Sequence, residues 1–328
     1  MTPTTRYTLY VLIAATAGAV GLVITEIALR FYSVTALFIA LVSNLIGGIL
    51  LLAPTFIRGE TPWRGWPAAD WLRLLVSSLA IYALGFLLLY SAISHIGAGK
   101  ASLLGRLEAI FIIVLAVLFL GERWSTRHWV ASLLALGGAV VASFNPAAWN
   151  LSLGLGELIS ILTAFVFSAG IVILKPLLDR HDGQFITGIG LLVGALLLGG
   201  VMVFTPGASL NEMWGGLGWM ALLALGGRGV CLGVSWATYN IAMRHLGASR
   251  CAVIFLSMVF ITVALQLVGN ALAPDLGLQV PENLWMTLMG GCLICAAIVL
   301  LHRQALTWSR PQSDCRGTPH SKHLVRRV

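Results

Sequence analysis

Residues 92–100 read Ala-Ile-Ser-His-Ile-Gly-Ala-Gly-Lys, and residues 242–250 read Ala-Met-Arg-His-Leu-Gly-Ala-Ser-Arg. Ala92, His95, Gly97 and Ala98 recur as Ala242, His245, Gly247 and Ala248. Lys100 is answered by Arg250, and upstream Phe86 falls opposite Trp236. The offset throughout is 150 residues (242 minus 92). A His in the last turn followed by Gly is also a common helix ending, because His complements the dipole and Gly takes the left-handed position. One such ending proves nothing. A whole block repeated at one offset argues for duplication.

The runs around these blocks set what the duplication means. A helix crossing a bilayer needs roughly 20 apolar residues. Ten runs qualify, near 8–29, 34–57, 71–93, 97–120, 127–145, 152–175, 184–205, 216–240, 247–272 and 283–301. The 150-residue offset therefore spans five crossings. Five is odd, so the second copy runs through the membrane in the opposite sense to the first. The sequence predicts an all-α integral membrane protein of ten transmembrane helices, arranged as two inverted five-helix repeats over 1–146 and 147–302, with a basic, disordered tail over 303–328. Inverted repeats are a recurrent plan of secondary transporters, which bind cargo near the midplane between the halves.

Composition agrees. Of 328 residues 59% are hydrophobic and 10% charged, with a mean hydropathy of +0.93, against about 45–50% and about 25% in an average soluble domain. This excludes a disordered chain, a disulfide-stapled secreted domain and an ordinary soluble enzyme. The runs are continuous and not alternating, which argues against a β-barrel. Short gaps leave no room for an extramembrane domain. The first run is too long for a signal-peptide core and is expected to be retained as a helix. The five cysteines are odd in number and mostly apolar in setting, and Cys292-x-x-Cys295 has no partner pair, so they read as small core residues.

The net charge of +8 is an orientation signal and not a nucleic-acid footprint. One set of loops with the C-terminal tail holds sixteen of the twenty Lys and Arg, the opposite set only Arg30 and Lys100, and Arg106 and Arg228 lie within spans. The positive-inside rule then puts both termini in the cytoplasm of an inner membrane. The tail reads as an arm beside anionic lipid headgroups.

Charge inside the bilayer is costly and needs a reason. Glu26, four residues before Arg30, reads as an interfacial i,i+4 pair, and Glu157 as a carboxylate at the positive end of a helix. Arg106 and Glu108 lie about 14–17 Å into the fourth span at 1.5 Å per residue, and Arg228 at similar depth in the eighth. They form either a structural ion pair between spans or a polar centre in a transport path. Two features favour the centre. Their counterparts at the offset, Leu256, Met258 and Ser78, are uncharged, so symmetry is broken at mid-depth. Gly226-Gly227-Arg228-Gly229 is a poor helix interior, and glycine-interrupted spans point to transporter sites. Tyr82, Phe86 and Tyr90 on one face of the third span, Trp236 and Tyr239 on the eighth, and Gln266 in the polar stripe Thr262, Gln266, Asn270 are the remaining lining candidates. Either stripe could equally be packing or interhelical hydrogen bonding.

The stretch from Gly97 through Glu108 to Gly121-Glu122-Arg123, followed by Trp129 to Val141, resembles the drug/metabolite transporter superfamily of the EamA type. The family's Glu-Pro step stands here as Glu108-Ala109. The second copy departs further, with Met258 for the glutamate and Ala271-Leu272 for the Gly-Glu turn. The resemblance implies two inverted five-helix bundles around a central cavity, and export as the direction of transport.

Other classes fit poorly. Every Asp lies in a loop, span edge or tail, every His in a loop, helix end or tail, and no HExxH, GxSxG or phosphate-binding loop occurs. An enzyme, a metal centre and a nucleotide-driven pump are not expected, and no cofactor is implied. A channel or a structural subunit would show a filter signature or charge ring. The expectation is therefore a secondary transporter of small metabolites by alternating access. Glu108, the one carboxylate placed near mid-bilayer, is the candidate for proton coupling. Two arginines against one glutamate leave a surplus cation, which a carboxylate-bearing substrate such as an amino acid would neutralise, with Arg228 as its anchor. If loop carbonyls take up one arginine instead, the substrate is neutral or cationic.

Overall fold

A computed structural model describes residues 3–32, 34–59, 64–108, 110–111, 114–115, 130, 133–134, 137–138, 141, 144–145, 150–151, 154–204, 218–246, 254–255, 257–281 and 283–308. The Gly121-Glu122-Arg123 turn, Trp129, Arg250 and the tail beyond 308 lie outside them, as does most of the span expected at 127–145.

Helix α1 (Pro3–Phe31) opens on a proline, whose missing N–H costs nothing in a first turn. Helix α2 (Ala36–Ile57) starts where the Thr35 hydroxyl accepts the Phe38 N–H. Its 22 residues extend about 33 Å, enough for the hydrocarbon core. Helix α3 (Ala68–Ser78), a π-helical segment (Leu79–Gly85) and helix α4 (Phe86–Gly105) follow one another without a gap. A two-residue antiparallel ribbon pairs Phe144–Asn145 with Asn150–Leu151. Then come α5 (Leu155–Arg180), α6 (Gly183–Phe204), α7 (Trp219–Leu246), α8 (Ser257–Leu272) and α9 (Leu284–Trp308).

Among the described residues six helices are long and apolar enough to cross a membrane, and Ser257–Leu272 and Leu284–Ala297 are shorter apolar helices. Large side chains such as Leu196, Val203, Phe204 and Leu223 are exposed on their outer faces, as lipid contact requires. This is a multi-pass helical membrane protein.

The third and fourth spans meet without a connecting loop: two helices abut at Gly97, whose backbone alone leaves helical geometry, at φ 74° and ψ 165°, a region essentially reserved for glycine. Lys100, expected in a loop, lies instead in the first turn after this break, and its ammonium pairs with Glu157 at 2.6 Å. Glu157 also caps its own helix, accepting the Gly154 N–H at 3.0 Å. The glycines around Arg228, in contrast, do not interrupt anything. Helix α7 runs continuously through them, and Gly229 serves close packing, since a Cβ there would sit 2.6 Å from Ile46 Cβ.

The packing interleaves the two halves of the chain. Helix α1 lies chiefly along α7, α2 along α6, and α4 along α5. Helix α8 packs against both α1 and α4.

Candidate functional site

The π-helical segment sets up the centre. Its i→i+5 bonding widens the helix locally, and the Tyr82 carbonyl accepts from Asn44 Nδ2 of α2. Gly190 and Gly194 of α6 let the Tyr82 ring and backbone approach: a Cβ at Gly194 would lie 2.9 Å from the Tyr82 carbonyl carbon. Tyr82 is thereby fixed, fully buried, at the middle of the bundle.

From Tyr82 a chain of rings runs both ways. In one direction Phe86 (6.2 Å between centroids) and then Tyr90 (5.7 Å, stacked) lead to Arg228, whose guanidinium carbon is 5.3 Å from the Tyr90 centroid. In the other, Trp236 (5.9 Å), Tyr239 (6.4 Å) and Phe255 (5.0 Å) lead to Arg106, whose guanidinium carbon is 5.1 Å from the Phe255 centroid. The structure thus brings together Tyr82, Phe86, Tyr90, Trp236, Tyr239, Arg106 and Arg228 in one contiguous path. An arginine stands at each end, and Phe255, missed in the sequence, completes it. Both arginine contacts are cation–π geometry.

The two ends differ. Arg228 is 3% exposed; its Nε donates to Thr25 Oγ1 at 2.9 Å and its Nη2 to the Tyr90 hydroxyl at 2.8 Å. Its fork presses on the backbone of α1, where a Cβ on Gly21 would fall 2.7 Å from Nη1. Arg106 is only half-buried. Its Nε reaches the Ser102 carbonyl at 3.3 Å and its Nη2 the Met258 sulfur at 3.9 Å, long and weak contacts for a guanidinium. Met258 is the residue that stands at the 150-residue offset from Glu108, and a thioether supplies no charge. Neither arginine forms an ion pair with an acid among the described residues. Trp236, Tyr239 and Phe255, beside Arg106, are half-buried, whereas Tyr82, Phe86 and Tyr90, toward Arg228, are buried.

Glu108 is half-buried, two residues beyond Arg106. Its backbone carbonyl accepts from Ser168 Oγ of α5 at 2.8 Å, and no ion pair with Arg106 forms. Gln266 is fully buried, but it faces Glu26 and not the rings: Nε2 donates to Glu26 Oε2 at 2.6 Å. Glu26 itself overturns the expected pair with Arg30. Arg30 Nη1 turns to the Gly277 carbonyl at 2.7 Å, and the Glu26 carboxylate, fully buried, accepts backbone N–H groups from Ala98 and Gln279. A second buried acid, Asp70, expected at a span edge, meets His181 Nε2 at 3.1 Å, with Arg73 and Arg180 farther out. No sequence signal separates these two acids from interfacial ones, because i,i+3 and i,i+4 neighbours look alike whether or not they pair. Among the described residues no group of three or more His, Cys, Asp or Glu could hold a metal.

Interior arginines facing aromatic rings thus lie inside a bundle of membrane-crossing helices. The EamA-like transporter family matches residues 5–144 and again 154–269. The chain belongs to that family, and is a multi-pass membrane transporter and not an enzyme. It is 26% identical over 234 residues, covering 67% of this chain and 69% of the other, to a probable terminal-alkyne amino-acid exporter of Streptantibioticus cattleyicolor. It is 31% identical over 219 residues, covering 65% and 69%, to the pseudopaline exporter CntI of Pseudomonas aeruginosa. A crystal structure of 17% sequence identity superposes with a TM-score of 0.62 over 93% of this chain and 99% of that one, a likeness of fold.

Proposed function

We propose that this protein is a secondary transporter that exports carboxylate-bearing small metabolites, amino acids and their relatives, by alternating access between two inverted five-helix halves, 1–146 and 147–302. The observation that carries the reading is the pair of guanidiniums at the two ends of the ring path, neither of them ion-paired to an acid among the described residues, with Glu108 acting on Arg106 from beyond ion-pair distance. Two interior cations against one carboxylate leave a surplus that an anion relieves, and a guanidinium fork suits a carboxylate. Arg106, half-buried and weakly bonded, is the better-presented anchor. Arg228, held by Thr25 and Tyr90, supplies positive potential behind it. Trp236, Tyr239 and Phe255 offer the apolar wall for the rest of the cargo. The name of the Streptantibioticus relative supports amino-acid cargo, and the names of both exporters support outward transport.

The helix pairings support the inverted plan. A shift of five spans carries the α1–α7 contact onto the contact of α5 with the α3–α4 run, and the α1–α8 contact onto α5–α4, as a two-fold relation in the membrane plane requires. In a deletion strain compared with an overexpressing strain, extracellular amino-acid-type metabolites are expected to fall and rise respectively. An unchanged medium in both contradicts export.

Both termini are assigned to the cytoplasm of the inner membrane. Single cysteines at Lys100, Asn145 and Asp275 in a Cys-free background are then labelled by an impermeant thiol reagent added to sealed cells, while those at Arg123 and His181 are not. Labelling of Arg123→Cys or His181→Cys from outside contradicts the ten-span order.

A further inference from the structure

We propose that Arg6, held by Tyr10 near the start of α1, forms an entry subsite for the cargo carboxylate, the first stop on the path that leads to Arg106. The subsite lies where the first turns of α1 meet the last turn of α7. Arg6 is exposed, and its Nε and Nη2 both donate to the Tyr10 hydroxyl, at 3.2 and 3.1 Å. Its guanidinium carbon stands 5.7 Å from the Tyr10 centroid. Tyr7 meets Tyr10 edge-on at 6.0 Å and stacks on His245 of α7 at 4.1 Å and 12°. These contacts fix the guanidinium at the mouth of the bundle, while among the described residues its Nη1 donates to nothing. That side of the fork is open to a carboxylate.

Two observations connect this mouth to the ring path. Tyr10 packs with Tyr239, Ile254 and Phe255 around the buried Val11 and Ala242, and Phe255 is the ring beneath Arg106. One small apolar cluster therefore separates Arg6 from Arg106. The second observation concerns charge. Residues 1–25 contain no Asp or Glu, and neither do residues 213–274. Hence α1 up to Thr25, and the whole of α7 and α8, carry no carboxylate. Glu26 stands about 30 Å from Arg6 along α1, at 1.5 Å per residue. No acid on these elements neutralises Arg6 or repels an approaching anion.

The repeated half is built differently at the equivalent place. At the 150-residue offset Arg6 is answered by Gly156, Tyr7 by Glu157 and Tyr10 by Ser160. Gly156 packs so closely on α4 that a Cβ there would fall 2.7 Å from His95 Cβ. Glu157 pairs with Lys100 at 2.6 Å, and Ser160 Oγ donates to the Ala101 carbonyl at 3.2 Å. That end closes on itself, with Lys100 already on an acid, whereas the α1 end presents a guanidinium outward. A carboxylate is thus drawn to the end assigned to the cytoplasm, as export requires. The inference rests on the export reading and adds a place of capture ahead of Arg106; its test separates the failure of one from the failure of the other.

Inside-out membrane vesicles, which turn the cytoplasmic face to the medium, are energised by respiration and offered a mixture of the ¹⁴C-labelled protein amino acids, with empty-vector vesicles as background. Wild-type uptake is expected to need about three- to tenfold more of the mixture for half-saturation when salt rises from about 20 mM to about 300 mM, because an exposed charge is screened. Arg6→Gln is expected to raise the half-saturating concentration by a similar factor at low salt, to lose that salt dependence and to keep the saturating rate, since a rim charge acts on encounter. Arg64→Gln, which removes an exposed arginine shortly before α3, is expected to behave as the wild type. Should Arg6→Gln fail to insert in the wild-type orientation, Tyr10→Phe keeps the charge but releases the guanidinium. It is expected to raise half-saturation about two- to threefold with the salt dependence retained. Unchanged half-saturation in correctly inserted Arg6→Gln, or in Tyr10→Phe, overturns the subsite and leaves the export reading in place. So does a loss confined to the saturating rate, which marks a structural role, or an equal shift in Arg64→Gln, which marks surface charge in general. No wild-type uptake above background contradicts the export reading, and the subsite falls with it.

Discussion

Gly97→Ala is expected to destabilise the protein by about 2–6 kcal/mol, from about 1–3 for placing a Cβ at such a backbone conformation and a comparable amount for overpacking. The second term has a named cause: an added Cβ would lie 2.7 Å from both the Cβ and the carbonyl oxygen of Gln279. Neither neighbour can retreat cheaply, because the segment 273–281 is held through the Gln279 N–H to Glu26 and the Ala98 N–H is held to the same carboxylate. Gly105→Ala is the matched control. That residue closes α4 with nothing within 4 Å of an added Cβ, so the change is neutral or favourable by up to about 1 kcal/mol. Thermal unfolding in detergent separates the two. Equal stability of both variants would show that the close approach of Gly97 to Gln279 carries no stability.

Much of this is legible in the sequence. The run lengths and the block at 92–100 announce a helical membrane protein built by duplication, and the break falls at the glycine of that block. The aromatic positions were also readable, because Tyr82, Phe86 and Tyr90 keep helical spacing, although the π-helical segment that aims them leaves no sequence trace. Depth along a span located Arg106 and Arg228, but depth is not presentation. Whether a guanidinium is taken up by Thr25 and Tyr90 or left on a phenyl ring depends on side chains more than a hundred residues away. Glu26 was misread for the same reason. Its partners Ala98, Gln266 and Gln279 come from three other segments, while the neighbour it was paired with, Arg30, was drawn off by the Gly277 carbonyl.

The largest functional effect is expected at Arg106. A carboxylate replacing its weak contacts to the Ser102 carbonyl and the Met258 sulfur gains charge-assisted hydrogen bonds, each about 1.5–3 kcal/mol, or roughly tenfold to a hundredfold in affinity. Arg106→Gln removes that gain and keeps the size. Arg228→Gln leaves Thr25 and Tyr90 without their donor, so it is expected to weaken binding of any cargo without erasing the preference for an acid. The direct measurement is equilibrium binding of an exported amino acid and of its amide to purified wild-type protein, Arg106→Gln and Arg228→Gln. Tighter binding of the acid by at least about tenfold in wild type, lost in Arg106→Gln, is the expected result; equal affinity for acid and amide in wild type would contradict an anion-binding centre.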